Sequence, residues 1–194
     1  MRIAIIAWGS LVWKPTDRGV TLRLRTPDDW RTDGPRLPVE FARISCDGSL
    51  TLVVVPSYPK EVTTLWSVSA HHHLNEAIRN LASREGITEN LEAIHGVFRS
   101  GLPIGSVDRD VATTIHSWLL KRPRLDAAIW TGLGTHPTRW RDRGYEEGFT
   151  PDNALSYLRS LRGDGGHPAF EYLMKAPAQV TTPVRQRATE EGII

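Results

Sequence analysis

Residues 3–13, Ile-Ala-Ile-Ile-Ala-Trp-Gly-Ser-Leu-Val-Trp, decide how this chain is read. The run 3–8 is apolar, unbroken and rich in isoleucine, and Gly9-Ser10 cuts it off, so it reads as a buried strand delivering a turn. In such a turn the backbone N–H groups leave the ladder and converge on a concave surface that suits an anion. Glycine removes the side chain that would block close approach, and Ser10 adds a hydroxyl donor. One basic residue ahead of an apolar run is also how a secretion leader begins. Here the run stops early and Lys14-Pro15 follow, so a cytoplasmic protein is expected.

Outward from that stretch, residues 14–38 are polar and carry Pro15, Pro27, Pro35 and Pro38, the composition of a long surface loop. Residues 39–45 alternate, Cys46-Asp47-Gly48 supplies a turn, and 49–56 are β-branched, which predicts a hairpin turning at Asp47-Gly48. Residues 63–69 are a further strand. The period then changes: His73, Leu74, Ala77, Ile78 and Leu81 fall on one helical face, and the helix ends near Arg84-Glu85-Gly86. A second helix starts from Asp108 or Asp110 and runs to Pro123. A third starts at Thr150-Pro151 and stops at Gly163. Between them, residues 127–131 form a hydrophobic strand entering Thr131-Gly132-Leu133-Gly134. Residues 164–168 read as a loop before a short helix over 169–176, and the tail from Pro177 carries weak signals. The fold class is α+β, a mixed or antiparallel sheet, twisted or barrel-like, with packed helices and a helical C-terminal half. The expectation is a single domain over 1–194 with a helical extension from about residue 105.

Composition narrows the function classes. The longest apolar runs fall well short of the ~20 residues a membrane helix needs, so no membrane is expected. A net charge of +2, from 24 basic and 22 acidic residues, gives no reason to expect nucleic acid. Arginine clusters at 23–31, 121–125 and 138–144 have acids nearby and read as solvated faces. Cys46 is the one cysteine, so no internal disulfide forms.

Ala7-Trp8-Gly9-Ser10-Leu11-Val12-Trp13 resembles the Tyr-Gly-Ser-Leu opening of gamma-glutamylcyclotransferase-like proteins, closest to the ChaC branch. Later parts follow in the same order: a strand with Phe41, Arg43 and Ser45, its hairpin partner over 50–55, the strand Leu65-Trp66-Ser67-Val68, and a helix ending in Leu-Ala-Ser-Arg-Glu-Gly at 81–86. The likeness covers about residues 3–100. It implies that the α-carboxylate of a γ-glutamyl substrate is held on the Gly-Ser amides while a glutamate takes a proton from the α-amine, which then closes on the γ-carbonyl to give 5-oxoproline. Carried over, Trp8, Gly9, Ser10 and Leu11 are the cradle, Trp13 and Arg43 further substrate contacts, and Glu85 the base. The resemblance implies neither metal nor organic cofactor. Trp8 departs from the family's tyrosine, and Glu89 and Glu92 lie near enough to Glu85 in sequence to be alternative bases. A non-catalytic module binding a small carboxylate or a partner on the same fold is the alternative. A partner-binding role for the Arg- and Trp-rich second half ranks third.

Other candidates carry less. His71-His72-His73, with His95 or His116, invites a metal, but adjacent histidines point apart and no HExxH or paired-cysteine spacing completes a site. Thr131-Gly132-Leu133-Gly134 repeats the logic of the first turn and either borders the same site or is a plain connector; it lacks the third glycine of a dinucleotide loop. Ser10 lacks the G-x-S-x-G elbow, and Cys46 has no histidine near in sequence. Trp8, Trp13, Trp66, Trp118 and Trp130 read as core, with a ligand-pocket lining as the alternative for some of them, while Trp30 and Trp140 lie among arginines; for Trp140, between Arg139 and Arg141, cation–π packing is expected ahead of stacking on a base.

Overall fold

The computed structural model describes all of residues 1–194 except Ser57, Asp164 and Gly165. The loop expected over 164–168 therefore lies partly outside the described residues. In chain order the strands of the main sheet and of the long hairpin are β1 (Ile3–Ala7), β2 (Val39–Ile44), β3 (Leu50–Val54), β4 (Leu65–Val68), β5 (Ile94–Phe98), β6 (Pro103–Ile104) and β7 (Ala127–Thr131). The helices are α1 (Leu74–Glu85), α2 (Arg109–Leu120), α3 (Pro137–Arg141), α4 (Pro151–Ser160), α5 (Pro168–Lys175) and α6 (Pro183–Glu190). The chain forms two compact units, residues 1–37 with 63–132 and residues 38–62 with 133–194.

The first unit is built on a five-stranded sheet in the order β6-β5-β7-β1-β4. β1 runs parallel to β7 and antiparallel to β4, and β5 is antiparallel to both β7 and β6. The sheet is thus mixed, as expected, and open, with β6 and β4 at its edges instead of a closed barrel. Every residue of β1 is buried, which explains why its sequence shows no polar alternation. One face, with Ile3, Ile5 and Ala7 of β1, Ile129 of β7 and Ile94 of β5, packs against Ala77, Leu81 and Ala82 of α1. Burying a side chain such as Leu81 contributes about 1.5–3 kcal/mol.

α1 stops where its sequence says it should. Gly86 takes the left-handed conformation at φ 70°, its N–H donates to the Ser83 carbonyl and Ile87 N–H donates to the Ala82 carbonyl. Ile87 also packs on the same apolar cluster, completing a Schellman stop that leaves Glu85 as the final helical residue. At the start of α2, Asp108 Oδ1 accepts from the N–H groups of Asp110 (3.0 Å) and Val111 (3.1 Å).

The second unit packs the β2–β3 hairpin with α4, α5 and α6. The hairpin turns through 45–49, with Tyr157 Oη donating to the Gly48 carbonyl at 2.7 Å. Trp140 corrects an expectation. It is fully buried, not stacked among the flanking arginines; its indole N–H donates to the Ala42 carbonyl at 3.0 Å and its ring meets Tyr145, Phe149 and Tyr157. A short helix puts residues 139, 140 and 141 about 100° apart, so the middle one faces inward while Arg141 is exposed and Arg139 half-buried. Trp8, Trp66, Trp118 and Trp130 are buried as expected, and Trp13 is half-buried. β5, α3 and α6 are elements that the hydropathy pattern does not reveal. Among the described residues no helix is long and apolar enough to cross a membrane.

Candidate functional site

The site lies in the first unit, where β1 ends. Beyond Ala7 the chain winds up on itself, Val12 N–H donating to the Gly9 carbonyl (3.0 Å) and Lys14 N–H to the Ser10 carbonyl (2.8 Å). Trp8, Gly9 and Leu11 are buried, while Ser10 and Trp13 are half-buried. Arg84 ties the last turn of α1 to this turn by hydrogen bonds. Its side chain is only 3% exposed. Both terminal guanidinium nitrogens donate to Ser10 Oγ at 3.2 Å, Nη2 also donates to the Lys14 carbonyl, and Nη1 donates to Glu85 Oε1 at 2.6 Å.

Glu85 therefore sits one guanidinium away from the Gly9-Ser10 turn. Its side chain is 16% exposed. Burial pushes its pKa above the ordinary carboxylate value, the Arg84 charge and hydrogen bond pull it back, and the neighbouring Asp17 charge pushes it up again; the net direction is upward. Its place at the carboxyl end of α1 works the same way, because the helix dipole disfavours an anion there. Asp17 itself is held low by its hydrogen bond from Lys14. Arg18 lies over the helix stop: a Cβ at Gly86 would fall 2.0 Å from Arg18 Nη1. Arg84, Arg18 and Lys14 face Glu85 and Asp17 here, leaving one positive charge in excess.

Of the three acids singled out in the sequence, only Glu85 meets the turn. Glu89 and Glu92 are exposed and follow the Gly86 reversal. Arg43 belongs to the second unit, on β2, where Nη1 donates to the Gly134 carbonyl at 2.8 Å. Burial, and then the Arg139 charge, lower its pKa. Arg84 is the residue that sequence reasoning missed. An arginine in the last helical turn reads as a solvated partner of the dipole, and nothing local to it announces burial.

His71 Nδ1 lies 3.5 Å from Glu76 Oε2, His116 Nε2 bonds the Arg99 carbonyl at 3.0 Å, and Cys46 is exposed. Among the described residues no three His, Cys, Asp or Glu side chains come together as a metal site. Compared with known proteins, the chain matches no family model, no curated protein and no solved structure.

Proposed function

We propose that this protein is a gamma-glutamylcyclotransferase-like enzyme that converts a γ-glutamyl amine or peptide to 5-oxoproline and the free amine, with Glu85 as the base. The observation that carries the reading is the joining of Ser10 and Glu85, 75 positions apart in the chain, on the one buried guanidinium of Arg84. The α-carboxylate of the substrate docks at the 9–11 turn, beside a guanidinium and Ser10 Oγ. Glu85 accepts a proton from the α-ammonium. The freed nitrogen attacks the γ-carbonyl carbon, a new C–N bond closes the lactam, the old amide C–N bond breaks as Glu85 passes its proton to the departing nitrogen, and the second proton shed by the ring nitrogen goes through Glu85 to the same amine, which leaves as the ammonium. Nothing else is consumed, because the nucleophile is part of the substrate. A carboxylate with a raised pKa suits this shuttle, since it takes a proton more readily than an ordinary carboxylate and can still return it to the departing amine. Mixed α+β architecture with a mixed sheet is compatible with the gamma-glutamylcyclotransferase-like fold, which is part of the same proposal.

The test is release of 5-oxoproline from glutathione and from γ-glutamyl dipeptides. The wild type is expected to turn over at least one of them, and Glu85→Gln to lose about 10²–10⁴-fold in kcat, the range for removing a general base. A second reading, a carboxylate-binding module without turnover, draws on the 2.6 Å bond that ties Glu85 to Arg84. It is favoured if ligand binding survives Glu85→Gln and no product ever forms.

A further inference from the structure

Thr131 Oγ1 is buried and has no hydrogen-bond partner among the described residues. A hydroxyl in that state costs free energy unless something else uses it, and its place in the sheet says what that is. β1 and β7 are neighbours and parallel, with Ile3 opposite Ala127 and Ile5 opposite Ile129. Continuing that register by two residues sets Ala7 beside Thr131, so Trp8-Gly9-Ser10 and Gly132 leave the sheet side by side at the same end. Side chains on a strand alternate between faces, and directly opposed residues of an antiparallel pair share one. Thr131 is two residues from Ile129 and opposes Ile94, and both of these pack against α1. Its hydroxyl is therefore on the α1 face. Trp130 and His95 take the other face, edge to face at 6.2 Å. The end of the sheet at which β1 and β7 finish is also where the Ser10 turn meets the last turn of α1 through Arg84.

We infer that Thr131 Oγ1 donates a hydrogen bond to the γ-carbonyl oxygen of the substrate, where negative charge develops as the amine attacks. This rests on the cyclotransferase reading. The chemistry fits because a fixed donor aimed at a developing oxyanion lowers the barrier. It also accounts for a second-turn sequence, Thr131-Gly132, that mirrors Gly9-Ser10 on the adjacent strand.

Thr131→Val keeps the shape and removes the hydroxyl. With 5-oxoproline release as the assay, kcat is expected to fall about 10–1000-fold with KM within about twofold, while Tm stays level or rises, because the substitution removes an unsatisfied buried group. Thr131→Ser, which restores a hydroxyl, is expected to recover most of kcat. A valine variant with wild-type kcat overturns the role of Thr131 alone. A drop in kcat that tracks a lowered Tm and is shared by the serine variant also overturns it, as that is the mark of a packing defect. A wild-type protein that forms no 5-oxoproline from any γ-glutamyl compound overturns the cyclotransferase reading, and the inference with it.

Discussion

At the scale of single residues, Arg84 and Glu85 depend on each other. Removing one partner of a buried ion pair leaves the other desolvated and uncompensated. Arg84→Met is expected to destabilise the protein by about 3 kcal/mol at neutral pH, the lower end of the range for breaking a buried pair, since Glu85 keeps some solvent contact. The urea midpoint measures this. The deficit should shrink in acid, where Glu85 is protonated and needs no partner. The wild-type carboxylate has a folded pKa above its unfolded value, so the stability it contributes is complete below the unfolded pKa and is lost as pH rises through the folded one. Its role as base runs the opposite way, because only the ionised form accepts a proton. The acid limb of kcat/KM for 5-oxoproline release should therefore lie above the usual carboxylate range, and a limb at or below that range would remove Glu85 from the role.

At the scale of elements, two helix ends carry measurable stability. Gly86 holds a left-handed φ of 70°, and a Cβ there meets the Arg18 guanidinium. Gly86→Ala should cost about 1–2 kcal/mol from backbone strain, with further loss of activity because the Schellman stop sets where Glu85 ends up. Asp108→Ala removes the cap of α2 and should cost about 1 kcal/mol in urea denaturation. α6 is tethered differently. Glu40 on β2 is fully buried; one of its oxygens accepts from Phe41 N–H at 2.8 Å and the other from Val184 N–H at 3.2 Å, with Thr182 and Tyr58 side chains bonded to it as well. Burial outweighs these bonds and raises its pKa. Glu40→Gln keeps the volume but turns one acceptor into a donor facing an N–H, so a loss of about 1–3 kcal/mol is expected. The deficit relative to wild type should be widest in acid and narrow as pH rises through the folded pKa of Glu40, because the wild type loses its own contribution over that window. Hydrogen exchange at 183–190 reports whether α6 loosens.

At the scale of the molecule, the chain leaves its first unit at residue 37 to make a hairpin, returns at 63, and leaves again at 132. Each unit has its own core. Trp140→Ala empties the centre of the second and should cost about 3–5 kcal/mol. Loss of amide protection in β2 and α4 would locate the damage, and unchanged protection there would contradict the central position given to Trp140. How much of this could be read from sequence depended on distance along the chain. β1 announced itself by an isoleucine run, α1 by spacing and a glycine stop, α2 and α4 by Asp108 and by Thr150-Pro151, and the hairpin by Asp47-Gly48, all features a few residues long. β5 escaped because Gly96 interrupts its apolar pattern, and that glycine is there because a Cβ would fall 2.7 Å from the Ala128 carbonyl. Local chemistry by itself determined the α+β class and the helix ends, since each is settled by neighbours in the chain, whereas the pairing of a Gly-Ser turn with a glutamate at a helix stop was implied only by the family resemblance. Only the tertiary structure decided that β7 lies parallel to β1, that Arg84 is buried between Ser10 and Glu85, and that Thr131 Oγ1 is buried without a hydrogen-bond partner among the described residues. Strand order and the desolvation of a charge are set by residues that are distant in sequence, and no local pattern records them.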